Sequence, residues 1–292
     1  MVFLEKFMWV DCMEIIITKN LIEEYAEHLR MEEKSKNTID KYVRDIKAFY
    51  TFIGEKPVSK ELALDYKEHL LQTNYAVSSI NSIIASMNSF FIFTGLDNIK
   101  IKVIKEQKQI FCSEEKELTK AEYTRLVNTA AQNGNKRLSL IIETICCTGI
   151  RVSELRFITV EAVQKSEAVV CCKGKRRSVF IVKDLRKKLL QYAKEQSIKT
   201  GQIFITRSGK PVSRTNIWRD MKKLCKDAKI NPKKVFPHNL RHLFARVFYG
   251  IEKDIAKLAD ILGHSSINTT RIYIISTGSE HRQRMENMRL VI

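Results

Sequence analysis

Phe236-Pro237-His238-Asn239-Leu240-Arg241-His242 is followed, after a helical run, by Leu262-Gly263-His264-Ser265-Ser266-Ile267-Asn268-Thr269-Thr270-Arg271-Ile272-Tyr273, and this stretch decides how the rest of the chain is read. Pro237 suits the first turn of a helix, where its missing N–H would have no partner in any case. Leu240, Leu243, Phe244, Val247 and Phe248 recur at three and four, which predicts a helix over 237–249 stopped by Gly250. His238 and Arg241 lie three apart on the opposite face, so both side chains can converge on one ligand. A second helix is predicted over 253–262, ended by Gly263, the residue that a helix C-terminus favours. Ser265 or Ser266 then caps a short helix that carries Tyr273. Two imidazoles, a guanidinium and a phenol gathered at helix ends suit attack on a phosphodiester.

Each residue alone has a plainer reading: His238 as a helix cap, Tyr273 as a half-buried core aromatic. His238 and His242 also have the i, i+4 spacing of two metal ligands. Asn239 stands where a zinc-hydrolase helix would carry Glu, and no third ligand is evident, so no metal is expected. The company of the stretch decides between these readings. In chain order come Thr148-Gly149-Ile150-Arg151-Val152-Ser153-Glu154-Leu155, Lys173-Gly174-Lys175-Arg176-Arg177, His-Asn-Leu-Arg-His, Leu-Gly-His-Ser-Ser, and Tyr273.

This ordered set resembles the tyrosine recombinase (phage integrase) family, in its Xer-like form with a core-binding and a catalytic domain, over nearly the whole chain. The resemblance implies a catalytic set of Arg151, Lys173, His238, Arg241, His264 and Tyr273. Ile274-Ile275 departs from the family pattern, in which a polar residue often follows the tyrosine.

Charge is divided unevenly along the chain. Residues 1–117 hold 16 Lys+Arg against 19 Asp+Glu, and residues 118–292 hold 35 against 14, within a total net charge of +18. A basic half of that size implies a polyanionic partner, most simply nucleic acid. The positives are not collected on one apolar-faced helix, and no apolar run approaches a membrane span, so no membrane is expected. Seven cysteines, with adjacent pairs Cys146-Cys147 and Cys171-Cys172 and no Cys-x-x-Cys, read as reduced thiols of a cytoplasmic protein. The apolar start is interrupted by Glu5 and Lys6 and does not read as a signal peptide.

The fold class expected is mainly α: an N-terminal helical bundle over 1–100, a linker over 101–117, and a mixed α+β catalytic domain with a small antiparallel sheet over 118–292. Apolar residues at three and four define the bundle helices, for example Ile39-Tyr42-Ile46-Phe49 and Ile80-Ile84-Met87-Phe91. Ser35-Lys36-Asn37-Thr38 and Val77-Ser78-Ser79-Ile80-Asn81 precede helices, whose N-termini both cap well and hold phosphate. Lys36, Thr38, Lys41, Arg44, Ser79 and Asn81 are therefore candidate DNA contacts, joined by Lys175 and Arg177 in the basic turn. The resemblance identifies this bundle as a SAM-like core-binding domain.

In the second half Thr119 caps a helix over 120–131, and 138–148 is an apolar, buried helix. Gly149 allows the tight turn that delivers Arg151 to a helix start. Strands over 168–172 and 178–182 enclose a turn over 173–177 that carries Lys173, and Phe204-Ile205 is a candidate third strand. Residues 184–196 and 213–228 read as basic amphipathic helices. In the tail, Met285, Met288 and Val291 have helical spacing. The resemblance implies a tail that docks on a neighbouring protomer, and packing on its own domain is the alternative.

The resemblance further implies a site-specific recombinase, of the Xer-like or the mobile-element integrase type, that acts as a homotetramer, or a heterotetramer with a related recombinase, on double-stranded DNA. Strands would be cut and rejoined through a 3′-phosphotyrosyl intermediate, with no cofactor. Tyr273 would attack, His238 would take its proton, Arg151, Arg241 and His264 would hold the phosphate oxygens, and Lys173 would protonate the departing 5′ oxygen. Glu154 would orient a neighbouring Arg. Relaxation of the type IB topoisomerase kind and a catalytically silent DNA-binding protein are the rival readings.

Overall fold

Hydroxyl caps set most of the first helices. A computed structural model describes residues 15–106, 117–172, 175–274, 282 and 285–288, and it separates into units Met1–Lys108 and Gln109–Ile292. In the first unit, helices α1 (Lys19–Met31), α2 (Lys36–Ile53) and α3 (Lys60–Gln72) start at Thr18, Ser35 and Ser59, whose side chains accept from the N–H of Leu21, Thr38 and Leu62. α4 (Val77–Phe93) starts without a side-chain cap. It is held by its apolar face, with Ile80, Ile84, Met87, Phe90 and Phe91 packed on Tyr25, Leu29, Ile46 and Phe49. Burial of one such side chain stabilises by about 1.5–3 kcal/mol.

Polar side chains finish this unit. Lys41 Nζ lies 2.7 Å from the buried Asp45 carboxylate and donates to Ser86 Oγ at 2.8 Å, and Ser86 donates to Asp45, which joins α2 to α4. Asn88 pairs its amide with both the N–H and the C=O of Ile101, and Asn81, seven residues earlier, does the same with Ile104. The linker expected from residue 101 therefore begins later. Ile101 is buried in the bundle core and the chain stays docked through Ile104, because two side-chain amides replace a missing β-partner for its backbone.

The second unit opens with α5 (Lys120–Gln132), closed at its start by a Thr119–Glu122 capping box, and α6 (Lys136–Thr148). A 3-10 turn over Val152–Phe157 leads to α7 (Val160–Gln164). β1 (Glu167–Cys172) and β2 (Lys175–Phe180) then pair antiparallel, from Glu167↔Phe180 to Cys172↔Lys175. β2 thus starts earlier than the expected 178, since Arg177 faces inward in phase with the buried Val179 and finds an ion-pair partner there. Phe204 and Ile205 do not extend the sheet: Ile205 makes an isolated bridge to Pro211, and the described sheet has two strands.

The remaining helices are α8 (Lys183–Glu195), α9 (Arg214–Asp227), α10 (Pro237–Glu252), α11 (Ile255–Leu262) and α12 (Ile267–Arg271). α10 does not stop at Gly250. It runs on to Glu252, and its C-cap Lys253 takes a left-handed conformation while Asp254 caps α11 through the N–H groups of Ala256 and Lys257. A glycine costs a helix only about 1 kcal/mol, so the next cap decides the boundary. Tyr273 sits one residue past the C-cap of α12, with its N–H bonded to the Thr270 carbonyl. Most of the 281–292 tail lies outside the described residues, as do Lys173 and Gly174. No described helix is long and apolar enough to cross a membrane.

Candidate active site

Gly149 is where the site begins. It caps α6 with φ +65, and a Cβ there would lie 2.4 Å from the Phe244 ring, so only glycine lets α10 approach so closely. Arg151 follows as N-cap of the 3-10 turn. The Glu154 carboxylate accepts the Arg151 N–H at 2.8 Å and its guanidinium at 2.9 Å, which fixes the direction of that side chain.

Arg241, on α10, is 1% exposed and is held by two helix ends. Its Nη1 donates to the Gly149 carbonyl and its Nη2 to the Leu262 carbonyl at 2.6 Å. These are the C-terminal carbonyls of α6 and α11, the negative ends of the two helix dipoles, and they suit a buried cation. Nη2 also meets His264 Nε2 at 2.9 Å, whereas the buried Nε has no hydrogen-bond partner among the described residues.

The imidazoles are kept neutral. A guanidinium only donates, so His264 Nε2 accepts from Arg241, and Nδ1–H donates to Thr270 Oγ1 at 2.8 Å. Burial first, then Arg241, Arg151, Arg177 and His238, push the His264 pKa down to about 4. His238 is lowered by burial, then by Arg241, Arg151 and Arg214, and its Nε2 lies 3.3 Å from the Tyr273 hydroxyl. His242 stacks on the Tyr273 ring at 4.1 Å and 21°, and burial, then His238 and Arg241, lower it to about 4.

Arg151, His238, Arg241, His264 and Tyr273 thus share one site, and Lys173 lies outside the described residues. Sequence reasoning did not pick out His242 for this site; its i, i+4 spacing from His238 was the available sign and pointed to a metal instead. Arg214 was also missed: with Arg151, Trp218, His238 and Arg241 it lines a cleft of about 350 Å³. A second cleft of about 790 Å³ opens on Arg151, Arg176, Arg177 and His264.

Of the other expected contacts, Lys36 and Ser79 are exposed, Thr38 is half-buried and Lys175 begins β2. Lys41, Arg44 and Ser79 line a cleft of about 910 Å³ in the first unit, which holds none of the residues around Tyr273. The Lys41 ammonium and the Asn81 amide are committed to partners within the bundle, and Arg177 is turned into the second unit.

Residues 116–280 match the Phage integrase family, and residues 22–95 match the Phage integrase, N-terminal SAM-like domain. The chain is 30% identical to tyrosine recombinase XerA of Pyrococcus horikoshii over 285 residues, covering 95% of this chain and 96% of that one. Tyrosine recombinase XerD of Halalkalibacterium halodurans is 27% identical, over 91% of this chain and 80% of its own. Lambda integrase, solved as a tetramer bound to a Holliday junction, shares the fold with a TM-score of 0.73 and 16% identity, over 90% of this chain and 78% of that one. Two matched domains in order, and a relative aligned over nearly the full length of both chains, place this chain in the phage integrase family, as a tyrosine recombinase of the site-specific kind.

Proposed function

We propose that Tyr273 is the nucleophile that cuts one strand of a cytoplasmic DNA duplex, with His238 as its base. A phenol in water holds its proton to about pH 10, so attack near neutrality needs an acceptor at hand. The observation that carries this reading is the 3.3 Å approach of the Tyr273 hydroxyl to the Nε2 of a histidine that its surroundings keep neutral. The phenolate oxygen attacks phosphorus, the bond to the 5′ oxygen breaks, and a 3′-phosphotyrosyl link replaces it. The 5′ hydroxyl of a partner strand reverses the step, so the bond energy is conserved.

Arg151 and Arg241 stabilise the charge that builds on the non-bridging oxygens, as guanidinium forks match phosphate geometry. Arg241 lines the same cleft as Arg151, Arg214 and His238, which puts its charge beside a phosphate held there. His264 serves Arg241 in this reading, since its Nε2 accepts from the guanidinium and Thr270 fixes its ring. Lys173 is the acid that the family pattern assigns to the leaving 5′ oxygen. Recombination requires four such sites on two synapsed duplexes, which is the assembly proposed here.

Nicked suicide duplexes, in which the cut strand leaves as a short fragment, test the reading. A covalent protein–DNA adduct should form in EDTA and vanish in Tyr273→Phe, with DNA affinity retained. An adduct that survives in Tyr273→Phe would remove the tyrosine from its role.

A further inference from the structure

We propose that Arg177 is a positioning residue for Arg151: it neutralises the second oxygen of the Glu154 carboxylate and so leaves the Arg151 charge for the phosphodiester. The inference rests on the reading of Arg151 as a phosphate clamp. Glu154 is 1% exposed, so its carboxylate lies within the wall of the site with almost no water to screen it. Its Oε1 takes the Arg151 guanidinium at 2.9 Å, and its Oε2 takes Arg177 Nη2 at 2.6 Å together with the Arg151 N–H. An uncompensated carboxylate there would repel the substrate and draw the Arg151 guanidinium onto itself.

Arg177 is anchored as tightly as the pair it serves. Its Nη1 donates to the Ile261 carbonyl at 2.9 Å, one residue before the carbonyl that holds Arg241. Its stem crosses Gly263, where a Cβ would lie 2.7 Å from Cδ and Nε at a backbone φ of +65. The end of α11 therefore holds two arginines on consecutive carbonyls, one facing the reaction and one facing Glu154. Arg177 also contributes to keeping His264 neutral, so its charge is felt across the site.

Single-turnover cleavage of a nicked suicide duplex tests this in the full chain, with DNA affinity and melting temperature measured on each variant. Arg177→Gln should cleave about a hundredfold more slowly, because it strands a buried charge, while DNA affinity changes by less than about threefold. Arg177→Lys should regain about tenfold of that loss. The decisive variant is Glu154→Gln with Arg177→Gln, which strands no charge and should cleave about tenfold faster than Arg177→Gln alone. If Arg177→Gln cleaves like the wild type, or if the double variant is no faster than the single one, the proposal fails and Arg177 is only a brace. A wild type that gives no Tyr273-dependent adduct overturns the phosphate-clamp reading and this inference with it.

Discussion

The two units bury charge in opposite ways. In the helical unit the buried Asp45 faces the largely buried Lys41 with Ser86 completing the set, while Arg44, at 3.6 Å from the same carboxylate, lies mostly in solvent, so the charges taken out of water balance. In the second unit Arg151, Arg177 and Arg241 gather about one buried carboxylate, Glu154, so that among the described residues the cluster carries an excess of positive charge. Helix C-terminal carbonyls stand in for the missing anions. A balanced cluster holds a fold together, whereas an unbalanced cluster is a site prepared for an anion.

The largest effect should come from the unbalanced side. Arg241→Ala should lower single-turnover cleavage by about a thousandfold, the range found when an oxyanion donor is removed. A loss of less than tenfold would place the phosphate elsewhere. On the balanced side, Asp45→Ala should cost about 1–3 kcal/mol of stability, since it takes the anion from the Lys41 ammonium and leaves that charge and the Ser86 hydroxyl only each other and the Ser82 carbonyl to bond. Urea unfolding measures this, and single-turnover cleavage at saturating DNA should stay within about threefold of the wild type. Asn88→Ala should cost less, about 1 kcal/mol, and should speed hydrogen exchange at the Ile101 amide, which Asn88 accepts from. Unchanged exchange there would separate the docked segment from its amide clamp.

The smallest effect is one of pH. His238, His242 and His264 lie below the ordinary 6.5 in the folded chain, the last two at about 4. Between those values the unfolded chain binds more protons, so their contribution to stability is complete above about pH 6.5 and is lost as pH falls toward 4. His242→Phe keeps a ring on Tyr273 and removes one titrating group, so its melting temperature should fall less steeply between pH 7 and about pH 5 than that of the wild type. Parallel curves would show that His242 does not titrate in this window.

Much of this was legible in the chain. Gly149, Gly263, Thr119 and Pro237 act through local backbone rules, and each does in the structure what its residue type and neighbours imply. The same holds for the helices with clear apolar periods and for the two-stranded sheet. The features that escaped depend on distant partners. The inward turn of Arg177 depends on Glu154 and Ile261, 23 and 84 residues away. Asn81 read as a phosphate-binding helix start because Ile104, which it holds, is 23 residues further on. α10 passes Gly250 because Asp254 caps the next helix, a competition between neighbours that a single residue type does not reveal.

The central claim is that Tyr273 becomes joined to DNA. Mass spectrometry of the trypsin-digested, nuclease-trimmed adduct tests it directly, because the fragment 272–282 contains Tyr273 and no other tyrosine. The account predicts a nucleotide mass on that fragment, located on Tyr273 itself. A nucleotide on any other residue, or on any other fragment, would contradict it.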